Sequence, residues 1–340
     1  MKQRKTYLDL LNILACICVI YMHCNGIVHT YSDTIEWKQS MLVETIAYWA
    51  VPIFFMISGA TLLNYRERYD TKTYLKKRLV RVGIPFIAWS MINLIWKVKA
   101  GKLAIEYSVP ALFSAFINSR IENVYWFFIP LFSVYFAIPV LSKLIKERDV
   151  LRYMILFGFL TYSFLPTIFS ILGIEYNVGL NFPITGGYVL YTLLGYYLST
   201  EEVTAKSRYF FYGLAILGAI IRYSSTVILS VRQGEIYKMF WGYLNFPTVF
   251  LSIGIFLFFR YSDWNKLVKN ERIIKLIKSI SSASFGIYLL HMMVMNYFWN
   301  LGVDVYGLKW RILGAPLIYC ICLLLVKLMQ KIPIVKKIIP

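Results

Sequence analysis

Acidic residues are scarce in this chain, and so is charge of any kind. Asp and Glu number 17 against 36 Lys and Arg, and charged residues fill only 16% of 340 positions. Soluble domains run near about 25% charged. With 59% of residues hydrophobic, the deficit excludes an ordinary soluble domain and reads as an all-α, polytopic integral membrane protein. The formal charge of +19 implies no nucleic-acid partner. The basic residues punctuate apolar runs instead of forming a patch beside a reading motif. A GxSxG elbow, a Walker loop, an HExxH pair and a dinucleotide glycine fingerprint are all missing, which leaves hydrolase, ATPase and zinc-protease readings without support. Cys16, Cys18, Cys24, Cys320 and Cys322 lie in or beside apolar runs without metal-finger spacing. They read as small packing residues, and no metal site is expected. Linkers, low-complexity tracts and internal repeats are also lacking. One membrane domain over 1–340 is the expectation, and transporters built on inverted repeats are disfavoured.

What the chain does have is a series of about ten apolar stretches long enough to cross roughly 30 Å of hydrocarbon. Their approximate limits are 6–28, 41–63, 79–98, 124–143, 150–172, 183–199, 208–230, 239–260, 280–299 and 310–330. The first has a basic lead-in but no small-residue cleavage pattern, so it reads as a spanning helix rather than a removed signal. Residues 104–117 are short and contain Glu106 and Pro110, which suits an external amphipathic or re-entrant helix. With ten crossings the loops on the side of the two termini carry +18 and those on the other side +2, while Asp9, Glu44 and Arg222 inside spans supply the remaining −1. The positive-inside rule then puts both termini in the cytoplasm.

Polar residues inside spans are costly, so their placement is informative. Asp9, Asn12, Cys16 and His23 share one stripe of the first span. Asn12 and His23 lie about 20° apart around the axis and about 16 Å apart along it. With the termini inside, His23 and Glu44 fall at similar depth near the outer boundary. Glu44, Tyr48, Phe55 and Ser58 project along one face of the second span. A carboxylate beside an imidazole is the arrangement a general base uses; the plainer alternatives are an interfacial Glu44 and a helix-packing His23. Ser284, Tyr288 and His291 form a stripe on the ninth span, either lining the same cavity or holding a structural histidine. Arg222 is the strong base well inside a span; it either meets a carboxylate such as Glu44 or an anionic ligand, or snorkels. His29 reads as a solvated loop residue. Lys76, Lys77, Arg78 and Arg81 precede Pro85, and the three-residue spacing of the arginines predicts two guanidinium groups on one helix face. That face either grips a diphosphate or 3′-phosphate or only sets topology and meets anionic headgroups.

Taken together, the segments resemble the membrane-bound acyltransferase 3 family. YLDLLNILACICVIYMHCNG is similar to its first helix with the membrane histidine, and VPIFFMISGATLL to its FFxxSG segment. KKRLVRVGIPF is similar to its basic run before a proline, and VYWFFIPLFSVYFAIPVL to its fourth span. GYVLYTLLGYYLS and SASFGIYLLHMMV resemble its glycine–tyrosine span and its late Ser–Tyr–His helix. The resemblance spans 7–298 and implies an enzyme of the cell membrane. Such an enzyme takes an acyl group, commonly acetyl, from cytoplasmic acyl-CoA and delivers it to a hydroxyl of a surface or exported glycan or lipid-linked sugar. Asn12 stands where many members carry an arginine, and Val124–Tyr125 where a histidine often precedes the tryptophan. On this reading His23, Glu44, Tyr288 and His291 serve catalysis. Lys77, Arg78, Arg81 and Asn12 hold acyl-CoA, the co-substrate, whose arm rises along the first helix. Arg222 and Ser58 serve the substrate or oxyanion. The alternative is a transporter or exporter of a small solute or glycan intermediate on the same scaffold.

Overall fold

The computed structural model describes residues 5–106, 108–264 and 270–340. The basic residues of 1–4 and 265–269 that enter the charge count, and position 107 within 104–117, lie outside the described residues. Among the described residues there are helices and no strands, and nine helical segments are long and apolar enough to cross a membrane. The protein is an all-α polytopic membrane protein.

The sixth expected crossing differs from its reading. In place of a full span over 183–199 the chain forms a helix of 12 residues, Val189–Thr200 (α10 in chain order), about 18 Å long. The missing length is made by turns and irregular chain. Beyond α8 (Arg148–Phe159) and α9 (Leu165–Ile171) the chain turns back along the α8 segment. The Phe182 amide and the Tyr176 hydroxyl donate to Thr161 at 3.1 and 2.9 Å, and Thr185 Oγ1 donates to the Met154 carbonyl at 3.2 Å. Non-helical backbone is tolerated at such depth only where protein covers it and satisfies its polar groups, and these bonds do that.

Two spans depart from a single straight helix, the first of them at a proline. The second span begins earlier than expected, as α2 (Ile35–Ala47), breaks at Tyr48–Trp49, and resumes as α3 (Ala50–Leu62). Pro52 lacks an N–H and its ring crowds the carbonyl four residues back, that of Tyr48. The third span starts at α4 (Thr71–Arg78), where the Asp70 carboxylate accepts from the Thr73 amide at 2.8 Å and is held below the usual carboxylate range by those Thr73 hydrogen bonds. A wider π turn at Leu79–Gly83 then leads into α5 (Ile84–Lys99), which carries Pro85. Residues 104–117 contain the short α6 (Val109–Ile117), capped by Ser108. It exposes Val109, Phe113 and Ile117, the amphipathic form the sequence leads one to expect.

At the centre stands α1 (Thr6–Cys24), packed on α2, α3, α12 (Phe246–Tyr261), α13 (Glu271–Asn300) and α14 (Leu308–Met329). α3 and α10 cross in backbone contact. A Cβ on Gly59 would lie 1.8 Å from the Thr192 carbonyl oxygen, and one on Gly195 2.0 Å from that of Met56. Only glycine permits this approach, the close packing by which helices associate where water cannot drive them together. Lys5 Nζ reaches the Ser199 carbonyl at 2.7 Å, and Lys327 Nζ the Ser279 carbonyl at 2.6 Å. The start of α1 and the ends of α10 and α14 therefore share one end of the bundle.

Candidate active site

At the far end of α1 from Lys5, a cavity of about 200 Å³ opens among α1, α2, α3, the segment before α7 (Phe128–Leu144), the Met239–Trp241 turn and α13. His23 lines it and is half-buried. Behind it lies His291, wholly buried, with ring centroids 5.2 Å apart and planes inclined by 34°. His291 Nδ1 is 2.6 Å from the Tyr288 carbonyl. Helix periodicity places Tyr288 one turn below on the same face, and its ring joins the cavity wall. The Tyr288 hydroxyl donates to the Val124 carbonyl. Next to it, Asn93 Nδ2 donates to the Tyr125 hydroxyl at 3.1 Å, which donates to the Leu289 carbonyl at 2.9 Å. These bonds tie α13 to the chain before α7, so Tyr125 is a structural tether in this protein.

Glu44 lines the same cavity and is buried, but no hydrogen bond joins it to His23. Its partner is Asn25, and its charge faces Arg222. Asn25 is fixed in turn by Ser40, through Nδ2 to the Ser40 carbonyl and from Ser40 Oγ to Oδ1, both at 2.8 Å. Arg222, on α11 (Ala205–Gln233), is 1% exposed. It lies 3.4 Å from the Tyr48 ring centroid and donates through one Nη to the Phe240 carbonyl. Glu44 therefore faces Arg222, not the imidazole; the two form no direct ion pair, but opposite charges at this separation offset part of the cost of burying each. Arg222 sits behind Tyr48 rather than on the cavity wall.

Aromatic rings form the rest of the wall. Tyr48 stacks on Tyr243 at 4.2 Å, and Trp126 stacks on the same Tyr243 at 5.5 Å. The Tyr48 hydroxyl donates to the Trp241 carbonyl. Glu44 Oε2 and Trp241 Nε1 are both buried without a hydrogen-bond partner. His29, outside the spans, joins the lining and meets Trp241 edge to face at 6.0 Å. Partial burial, then Lys238, hold its imidazole below the usual histidine range. Sequence reading missed Trp126, Trp241 and Tyr243 as a wall. Their one available signal was a run of aromatics at span boundaries, which serves equally as an interfacial belt.

The remaining candidates are elsewhere. The lower stripe of α1 faces α13, not an open channel: Asn12 Nδ2 donates to the Ser281 carbonyl and Oγ at 2.9 and 3.0 Å, and Cys16 contacts the Ser284 carbonyl at 3.7 Å. Ser58 belongs to the basic end. Its hydroxyl and the Arg78 guanidinium both hydrogen-bond Tyr135. Arg78 is half-buried between Tyr74 and Tyr135, 5.9 and 5.7 Å from their centroids, and its Nε is buried without a partner. Lys77 sits 3.8 Å over the Tyr69 ring. Arg81 is exposed. The π turn that begins after Arg78 and contains Arg81 widens the helix and rotates Arg81 off the face that Arg78 occupies, so they do not form the shared grip the α-helical spacing predicts.

The half-buried His23 imidazole lies in an aromatic cavity with the wholly buried His291 ring behind it. The model of the acyltransferase domain of the acyltransferase 3 family matches residues 5–328, and the chain belongs to that family. Comparison with curated proteins and with solved structures gave no match.

Proposed function

We propose that this acyltransferase is an O-acetyltransferase of a bacterial plasma membrane, with both termini cytoplasmic. It moves an acyl group from cytoplasmic acyl-CoA to a hydroxyl of an exported or surface glycan. The observation that carries the reading is His23 in the lining of a protein-walled cavity that also includes Glu44 and Trp241, whose Oε2 and Nε1 are unpartnered. His23 takes the proton of the acceptor hydroxyl as its oxygen attacks the thioester carbonyl. The carbon–sulfur bond then breaks, and the imidazolium returns the proton to the departing thiolate. Glu44 Oε2 and Trp241 Nε1 bind neighbouring hydroxyls, and the stacked Tyr48, Tyr243 and Trp126 meet the apolar face of a sugar ring. Tyr288, whose ring is in the cavity wall, donates to the oxyanion once its hydroxyl swings from Val124.

The donor's route follows α3 rather than α1. Phe54 lines the cavity, and Ser58, one turn or about 6 Å further along the helix, donates to the Phe54 carbonyl and meets Tyr135 beside Arg78. Arg78, with its free buried Nε, is the group we assign to a CoA phosphate. The test uses purified protein in liposomes, with acetyl-CoA and a candidate glycan. Thiol release and acceptor labelling are expected, both falling by about 10²–10⁴-fold in a folded His23→Ala variant. Solute flux with no thiol release would replace the enzyme by a transporter.

A further inference from the structure

His291 is the buried titratable group that this reaction leaves unused. It touches neither the cavity nor solvent: its side chain is wholly buried and absent from the cavity lining. Its Nδ1 faces the carbonyl oxygens of Tyr288, at 2.6 Å, and of Ile287. A carbonyl oxygen only accepts, so Nδ1 must carry the hydrogen, and in the neutral ring Nε2 is then a bare acceptor. That Nε2 is buried with no partner. A buried acceptor left unpaired costs free energy that a single good donor would recover.

The ring across from it is His23, at 5.2 Å between centroids. A ring nitrogen lies about 1.1 Å from its centroid, so two nitrogens turned toward each other along that line stand about 3 Å apart, within hydrogen-bond range. Glu44, the carboxylate expected in this role, is taken by Asn25 and Arg222. We propose that His291 is the positioning residue for His23: its Nε2 accepts the N–H of one His23 nitrogen and thereby holds the other as a lone pair toward the cavity. The Tyr288 carbonyl, His291 and His23 then form one polarised line, a neutral imidazole standing where a carboxylate orients many catalytic histidines. As His23 gains the acceptor's proton, the same hydrogen bond becomes charge-assisted and strengthens. The proton itself stays on His23 until it leaves with the thiolate; His291 neither gains nor loses one.

The kinetic role rests on the transferase reading, but the ring arrangement does not, and two measurements separate them. The chain has three histidines, so nitrogen NMR of ¹⁵N-histidine protein in liposomes resolves each ring. The expected spectrum shows His291 protonated at Nδ1 with a hydrogen-bonded Nε2, and one fixed tautomer at His23 that becomes a mixture in His291→Phe. A His291 ring protonated at Nε2, or a His23 tautomer indifferent to His291→Phe, overturns the proposal whatever the enzyme does. In turnover, His291→Phe keeps the volume but lacks the acceptor, and kcat is expected to fall about 10–100-fold with the KM values of donor and acceptor unchanged. His291→Gln supplies an amide oxygen and is expected to restore most of the rate. Equal rates in the Phe and Gln variants overturn the positioning role. No turnover in wild type, with the expected spectrum, overturns the transferase reading and leaves the histidine pair standing.

Discussion

At the residue scale the two charges beneath the cavity depend on each other. Removing Arg222 while Glu44 remains leaves a carboxylate that is 6% exposed facing no cation. Arg222→Met is therefore expected to cost about 3–5 kcal/mol of stability, and Glu44→Gln in the same chain to recover a large part of it. Denaturation of the two single variants and the double variant in detergent gives the coupling. At the other end the two arginines part company. Arg78→Ala is expected to raise the donor KM about tenfold or more, through loss of a charge-assisted phosphate bond, whereas Arg81→Ala, exposed and off that face, leaves it nearly unchanged. Steady-state kinetics over a range of acyl-CoA concentrations checks both. The individual histidines were legible because a polar group in an apolar run stands out. Their pairing was not, since nothing local relates His23 to a residue on the ninth span, and the choice of Asn25 and Arg222 as partners of Glu44 is a product of packing.

At the element scale the crossing of α3 with α10 is the tightest contact that positions the site. Phe54 and Val51 on α3 line the cavity, and Phe55 stacks on Tyr188, just before α10, at 4.5 Å. Gly59→Ala or Gly195→Ala pushes a methyl into opposing backbone that cannot yield as a side chain does. Each is expected to lower stability by about 1–3 kcal/mol or more and to reduce turnover with it. Thermal unfolding in detergent is the check; a variant as stable as wild type would show that the helices need not touch. Hydropathy made nine of the ten crossings legible because a spanning helix must be apolar along its length. It over-read 183–199, where only α10 is helical and the preceding chain runs through turns whose polar groups are met at Thr161 and Met154. The break at Tyr48–Trp49 had its cause in plain view at Pro52. The π turn before Pro85 did not, and with it went the expected pairing of Arg78 and Arg81.

For the whole molecule, the proposed function rests on two ends with different chemistry. The basic end holds Arg78 among tyrosines, the other end holds the histidine pair in an aromatic cavity, and α3 links them in little more than a turn. Charge bias predicts the orientation, since the basic end should face the cytoplasm. Single cysteines introduced at Lys206 and at Asp304, in a background freed of native cysteine, are expected to react with an impermeant reagent from opposite sides of the membrane. The most direct measurement of the central claim is a sided assay in liposomes of uniform orientation. Acetyl-CoA is supplied only at the basic end and the hydroxyl acceptor only at the cavity end. The account predicts free CoA thiol on the first side and acylated acceptor on the second, in equal amounts, with both lost in His23→Ala. Thiol and acylated acceptor appearing on the same side, or transfer undiminished without His23, would contradict it.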